Sequence, residues 1–247
     1  MGRRPRRLAL LVAALLAVVP GAAPAAQAAT HWKAILLAGD NSAPVFDNAT
    51  RELARLLEER GVEVVATFTA DPAKVSETVR LATHEELRKL PSRVTITEGD
   101  GCLFFATSHG TRQGLQLAAD PAMSVLSPSA LKRILADTCA TAPTVLVISA
   151  CHSGTFIRRE TREPNLVILT AAPSERRMSF GCRPERRFTY YDGCVLTELP
   201  KGGTWEALHA RLRTCVETKE ASSKERPSNP QAYFGRDVKD LPLPTAG

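Results

Sequence analysis

Along this chain, short runs of consecutive apolar residues alternate with stretches in which apolar positions recur every three or four residues, and this alternation predicts the layout. "WKAILLAGD" reads as a buried strand ending in a polar loop; "NATRELARLLEERG" follows at helical spacing, with Gly61 as its stop. "VEVVATF" is the second strand. Residues Ala73 to Leu90 set Val75, Val79, Leu81, Leu87 and Leu90 among charges, a pattern that predicts a second amphipathic helix. "CLFFATSHG" is a third strand that turns at Ser108, His109 and Gly110. "SPSALKRILAD" is then a helix with Ser127 as N-cap and Pro128 at its first position. "PTVLVIS" and "PNLVILTAA" are the fourth and fifth strands. "SERRMSFGCRPERRFTYYDG" reads as one long irregular loop, and "TWEALHARLRTCVETKEA" as a closing helix with Trp205, Leu208, Leu212 and Val216 on one face. From about Ser222 onward, proline and small polar residues predict a loosely held tail. Strand and helix in alternation give an α/β fold, a mostly parallel sheet flanked by helices on both faces.

The first residues do not belong to that layout. "MGRRPRRLALLVAALLAVVPGAAPAAQAAT" has four arginines, an apolar run from Leu8 to Val19 and small residues at Ala26 and Ala28, the pattern of a secretory signal peptide over residues 1–28. Its apolar run is too short to span a bilayer, and no cysteine follows it to take a lipid, so no stable membrane insertion is expected after cleavage. The expected product is exported, periplasmic or secreted, with residues 29–247 as a single domain. Cleavage also removes Arg3, Arg4, Arg6 and Arg7, so the net charge of +6 falls to +2 and the case for a nucleic-acid partner goes with it.

Six cysteines stand at positions 102, 139, 151, 182, 194 and 215, none in CxxC spacing, which argues against zinc and thioredoxin-like chemistry. In an oxidising compartment some should pair. If Cys151 is kept for chemistry, up to two disulfides fit among the other five, in a connectivity the spacing does not fix.

In an open parallel sheet, sites form at the carboxyl ends of the strands. Three strands here end in polar clusters: Gly39-Asp40-Asn41, Ser108-His109-Gly110 and Ala150-Cys151-His152-Ser153-Gly154. With the third and fourth strands as neighbours, His109 and Cys151 reach one rim. A thiol with an ordinary pKa is mostly protonated at neutral pH; an imidazole beside it can take the proton and later return it to a leaving amine. The backbone N–H groups of Gly110 and Cys151 are candidates for an oxyanion hole.

These residues resemble the legumain-type (asparaginyl endopeptidase) cysteine peptidases of the caspase-like clan. The carriers are "SHG" after one strand and "SACHSG" after the next, in the order histidine then cysteine. "LLAGDNSAPVFDNA", "TAAPSERRMSFGC" and "SNPQAYFG" are similar to the bacterial branch. The resemblance implies a caspase-like fold, a polypeptide substrate and no metal or cofactor, with His109 as general base and acid and Cys151 as nucleophile. It further implies that Asn41 orients the histidine, and that some members join peptides when an amine resolves the thioester. Plant and animal members carry an acidic residue two positions before the nucleophile, in the specificity pocket; Ser149 stands there, and with Asp40 it is a candidate for substrate contact.

Each assignment has a plainer counterpart. Cys151 could be a packed structural thiol, Asp40 and Asn41 a turn that closes the first strand, and Ser149 part of the sheet core. His152 adjoins the thiol but should point away from it, since neighbours on an extended chain face opposite ways. The rival to a peptidase is a catalytically silent α/β module that binds a peptide or glycan in the same cleft.

Overall fold

The computed structural model describes residues 1–2, 29, 31–121, 124–175 and 185–244. Apart from its first two residues, the segment read as an export signal lies outside the described residues, as do Cys182 and most of "SERRMSFGC".

The chain begins with β1 (His31–Ala38), α1 (Val45–Glu58), β2 (Glu63–Thr69) and the short β3 (Val79–Leu81). Two brief helices, α2 (His84–Arg88) and α3 (Leu90–Arg93), lead into β4 (Asp100–Thr107). A small antiparallel sheet follows, of β5 (Gly110–Thr111), β6 (Gly114–Leu117) and β7 (Ser124–Leu126). Then come α4 (Pro128–Cys139), β8 (Thr144–Ser149), β9 (Leu166–Thr170), α5 (Tyr190–Glu198), α6 (Trp205–Ser222) and β10 (Gln231–Phe234). The main sheet has seven strands in the order β10-β9-β8-β4-β1-β2-β3, all parallel except β10, which runs antiparallel to β9.

The continuous apolar runs of the central strands follow from this burial on two faces, since side chains alternate between faces with a period of two. Leu36, Leu103, Phe105, Val147 and Leu169 enter a core with Leu53 and Leu57 of α1, Val195 of α5, and Trp205, Leu208 and Leu212 of α6. Their sequence neighbours Leu37, Phe104, Leu146, Ile148 and Ile168 enter a second core with Leu87, Leu90, Leu131, Leu135 and the small sheet's Leu115, Leu117 and Leu126. One disulfide lies in each layer: Cys102–Cys139 ties β4 to the end of α4, and Cys194–Cys215 ties α5 to α6. Their sequence separations, 37 and 21, give each about 3–4 kcal/mol of stabilisation through the entropy taken from the unfolded chain. Cys151 takes part in neither.

Caps set the helix starts, at Ser127 as expected and at Thr204 in addition. Ser127 Oγ accepts from Ala130 N at 3.2 Å, with Pro128 in the first turn, and Thr204 Oγ1 accepts from Ala207 N at 3.2 Å at the head of α6. Gly61 adopts φ +72 just after α1, a conformation that a residue without Cβ takes readily.

Three expectations are corrected. Residues Ala73 to Leu90 do not form one helix: a single turn at Pro72–Lys74, capped by Asp71, gives way to β3 and then α2. Ser76 Oγ accepts from Thr78 N and Val79 N, and β3 pairs with β2, so side-chain and ladder hydrogen bonds outcompete the helical spacing, leaving Val75 exposed. The long irregular loop is cut short by α5, whose Thr189 cap accepts from Asp192 N at 3.0 Å and whose Tyr190, Tyr191, Cys194 and Val195 are buried; Gly193 disguised that helical spacing. The loosely held tail is fastened instead. Ser228 N donates to the buried Glu220 carboxylate at 3.0 Å, β10 covers the edge of β9, and Val238, Leu241 and Leu243 enter the core. "SNPQAYFG" therefore belongs to a turn and an edge strand. Gly235 is required there, because a Cβ would stand 2.3 Å from the carbonyl oxygen of Pro164.

Among the described residues, no helix is long and apolar enough to cross a membrane. Deleting residues 227–247 should expose the edge of β9 and open the core, so the truncated protein is expected to aggregate or lose cooperative unfolding in size-exclusion and thermal melts. A soluble monomer with an unchanged melt would contradict this account of the C-terminal segment.

Candidate active site

The β4–β8 ladder sets the site. These strands are parallel, with Cα partners running from Cys102↔Thr144 to Thr107↔Ser149. The pairing persists one step further, through Ser108 N donating to Ser149 O at 3.1 Å. His109 and Cys151 each lie two residues beyond the last pair, so the two turns emerge side by side. Gly110 shows how closely: a Cβ built on it would meet the Cys151 carbonyl oxygen at 2.0 Å and the Ala150 Cβ at 2.9 Å. Only a glycine allows the two backbones to pass at this distance.

The turn at Cys151 is sharp and clamped. His152 takes a left-handed conformation, φ 56 and ψ 14, and a 3₁₀ turn over Ser153–Phe156 follows. A non-glycine residue holds this conformation only where its surroundings dictate it. Here the imidazole is buried with Nδ1 2.8 Å from Ser174 O, and Gly154 N donates to Ala172 O at 2.7 Å. Ser153 Oγ both donates to Ala172 O and accepts from Ala172 N. His152 is thus turned into the loop after β9. Cys151 is half-buried and packs against the α1-side core.

The turn after β1 completes the rim. Gly39 N donates to Thr107 O at 2.9 Å, and Gly39 O accepts from Ala118 N at 2.8 Å, which pins this turn against β4 and the small sheet. Asp40 is 4% exposed and its Oδ1 accepts from Ser42 N at 2.7 Å, an Asx turn of the kind expected from the plainer reading. The same oxygen accepts from Ser42 Oγ. Ser42 Oγ also lies 3.3 Å from His109 Nε2. The Phe46 ring of α1 also packs against that imidazole, with centroids 5.3 Å apart and planes at 75°. Asn41 is exposed in the same turn. Ser42 was not singled out in the sequence, although an Asp two residues before a Ser is itself an Asx-turn signal.

Ser149 is fully buried and does not face solvent. Its Oγ lies 3.5 Å from Thr189 Oγ1, within a polar cluster beneath the rim. Asp192 is the centre of that cluster: Thr107 Oγ1 donates to its Oδ2 at 2.8 Å, while Oδ1 has no partner of hydrogen-bond geometry among the described residues. Burial pushes the Asp192 carboxyl up to about 6, opposed by the hydroxyls of Ser149, Thr189 and Thr107. No group of three or more His, Cys, Asp or Glu side chains able to hold a metal occurs among the described residues. A cavity of about 440 Å³, lined by Leu131, Leu135, Phe156, Leu166 and Ile168 among others, lies in the α4 layer and includes neither His109 nor Cys151.

Comparison with known proteins bears on this rim. Residues 89–198 match the Peptidase C13 family, a stretch that contains β4, β8, His109 and Cys151. The crystal structure of caspase-1 from Spodoptera frugiperda is similar in fold, with a TM-score of 0.61 and 19% identity, covering 88% of this chain and 92% of that one. Among curated proteins none matches. The fold is caspase-like, and the Peptidase C13 match takes in the "SHG" and "SACHSG" stretches that carry the legumain-type resemblance.

The buried carboxyl gives a signed prediction. Its proton is held more tightly in the fold than in the unfolded chain, so its contribution to stability is full below about pH 4 and is lost as pH rises through about 6. At pH 8 the D192N protein should therefore be more stable than the wild type by up to about 3 kcal/mol, with the gain vanishing near pH 4. His209 is pushed down to about 4 by burial and by Arg213, and acts in the opposite sense, but it is common to both proteins and drops out of the difference. Denaturant melts of both proteins across this range check the prediction; parallel curves would refute it.

Proposed function

We propose that this chain is an exported cysteine endopeptidase of the bacterial legumain type, hydrolysing peptide bonds through Cys151 and His109. The observation that carries the reading is the shared β4–β8 rim, where a histidine and a cysteine each follow a buried strand by two residues, inside the stretch that matches Peptidase C13. His109 takes the Cys151 proton, and the sulfur attacks the scissile carbonyl. Backbone N–H groups at Gly110 and Cys151 receive the oxyanion, a contribution of about 3–4 kcal/mol in the transition state. Collapse expels the amine, protonated by His109, and leaves an acyl-thioester on Cys151. Water, activated by His109, then releases the acid; a peptide amine in its place would give transpeptidation.

Export to the periplasm or the medium is supported by the signal-like residues 1–28 and by two disulfides, which persist in oxidising surroundings. Ser149 stands where an acidic pocket residue would and is buried, so it offers no charge to an asparagine side chain.

The test is turnover of a fluorogenic peptide library by the purified, mildly reduced protein. C151A and H109A should each lose at least about a thousandfold in kcat/KM while their melting temperatures stay near that of the wild type. Retained turnover in either variant would overturn the proposal, and a protein that binds library peptides without cleaving them would be the silent module instead.

A further inference from the structure

His109 has two ring nitrogens, and the chemistry above needs one of them unprotonated. The hydrogen bonds around Ser42 decide which. A hydroxyl has one proton, and Ser42 Oγ donates it to Asp40 Oδ1, a buried acceptor also held by Ser42 N at 2.7 Å. Towards His109 Nε2, 3.3 Å away, the same oxygen is then left with lone pairs only. An attractive contact at that distance requires the proton to sit on Nε2. We propose that Asp40, acting through Ser42, is a positioning residue that holds His109 as its Nε2–H tautomer, leaving Nδ1 to accept the thiol proton. This rests on the peptidase reading and extends it.

The arrangement serves a second purpose. When His109 takes the thiol proton it becomes a cation, and the Asp40 carboxylate meets that charge through one polarised hydroxyl. Asp40 is placed for this by backbone: Gly39 is bonded to Thr107 on one side and to Ala118 on the other, and a Cβ on Gly39 would come within 2.5 Å of Gln116 O. Phe46 packs against the ring, and Ser42 itself is exposed, so its hydroxyl can be removed without opening a cavity.

The experiment measures the rate of Cys151 alkylation by iodoacetamide against pH, read by peptide mass spectrometry, and the His109 tautomer, read from ring ¹⁵N shifts. Wild type, S42A, S42T, D40N and H109A are compared. Without substrate, alkylation reports thiolate formation alone. We expect S42A and D40N to move the midpoint of the profile upward by about one pH unit, lowering the rate about tenfold near pH 6, with S42T close to wild type. A D40N/S42A double variant, compared alongside, should be no worse than either single one, since both break the same relay. Wild-type ¹⁵N shifts should show protonation at Nε2, and S42A should mix the tautomers. If H109A slows alkylation while S42A matches the wild type at every pH, the relay is wrong and the peptidase reading stands. If H109A also matches the wild type, both fall. Should D40N fail to fold, S42A against S42T decides alone.

Discussion

Thr107 and Ser149, the last paired residues of two parallel strands, set the position of the whole candidate site. Beyond them the chain has no sheet to follow, and what happens next is dictated by backbone contacts that side chains would forbid. Gly110 lies against the carbonyl of Cys151, Gly39 beneath the small sheet, and Gly154 against Pro173 and Ser174, where a Cβ would come within 2.6 Å of Ser174 N. Three turns are thereby packed backbone to backbone at one edge of a rigid layer. Placing reactive groups on turns fixed by such a scaffold gives precision without placing them in the core.

Most of this was open to a reader of the sequence, for a physical reason. Buried parallel strands must be apolar on both faces, and "CLFFAT" and "TVLVIS" have no other reading; the polar residues that end them then mark the rim. The helix cap at Ser127 was equally legible because capping is a local interaction. The failures came where a distant partner decides. Val79 and Leu81 became a strand because β2 lay beside them, and the C-terminal segment is ordered because β9 and the α6 layer accept it. No local pattern of prolines and small residues could announce that. Ser42 was overlooked for the same reason: its significance depends on His109, 67 positions away.

Beneath the rim, the polar cluster of Asp192, Thr107, Ser149 and Thr189 sits where an apolar residue would pack more cheaply. Thr107 bonds the Asp192 carboxyl and Ser149 lies beside the Thr189 cap, which ties α5 to the tips of β4 and β8. The disulfides work elsewhere: Cys102–Cys139 lies at the opposite end of the strands and Cys194–Cys215 between two helices.

The antiparallel β10 carries a consequence for how the protein is made. Ribosomal synthesis delivers β4, β8 and β9 well before the strand that covers them, and β10 comes last of all the strands in the sheet. A nascent chain thus owns both reactive turns while its sheet still ends in an unsatisfied row of peptide groups. Under the proposed export, a chain that crosses the membrane unfolded defers that interval to the far side, where β10 is present before the sheet is assembled and the two turns are first held in place.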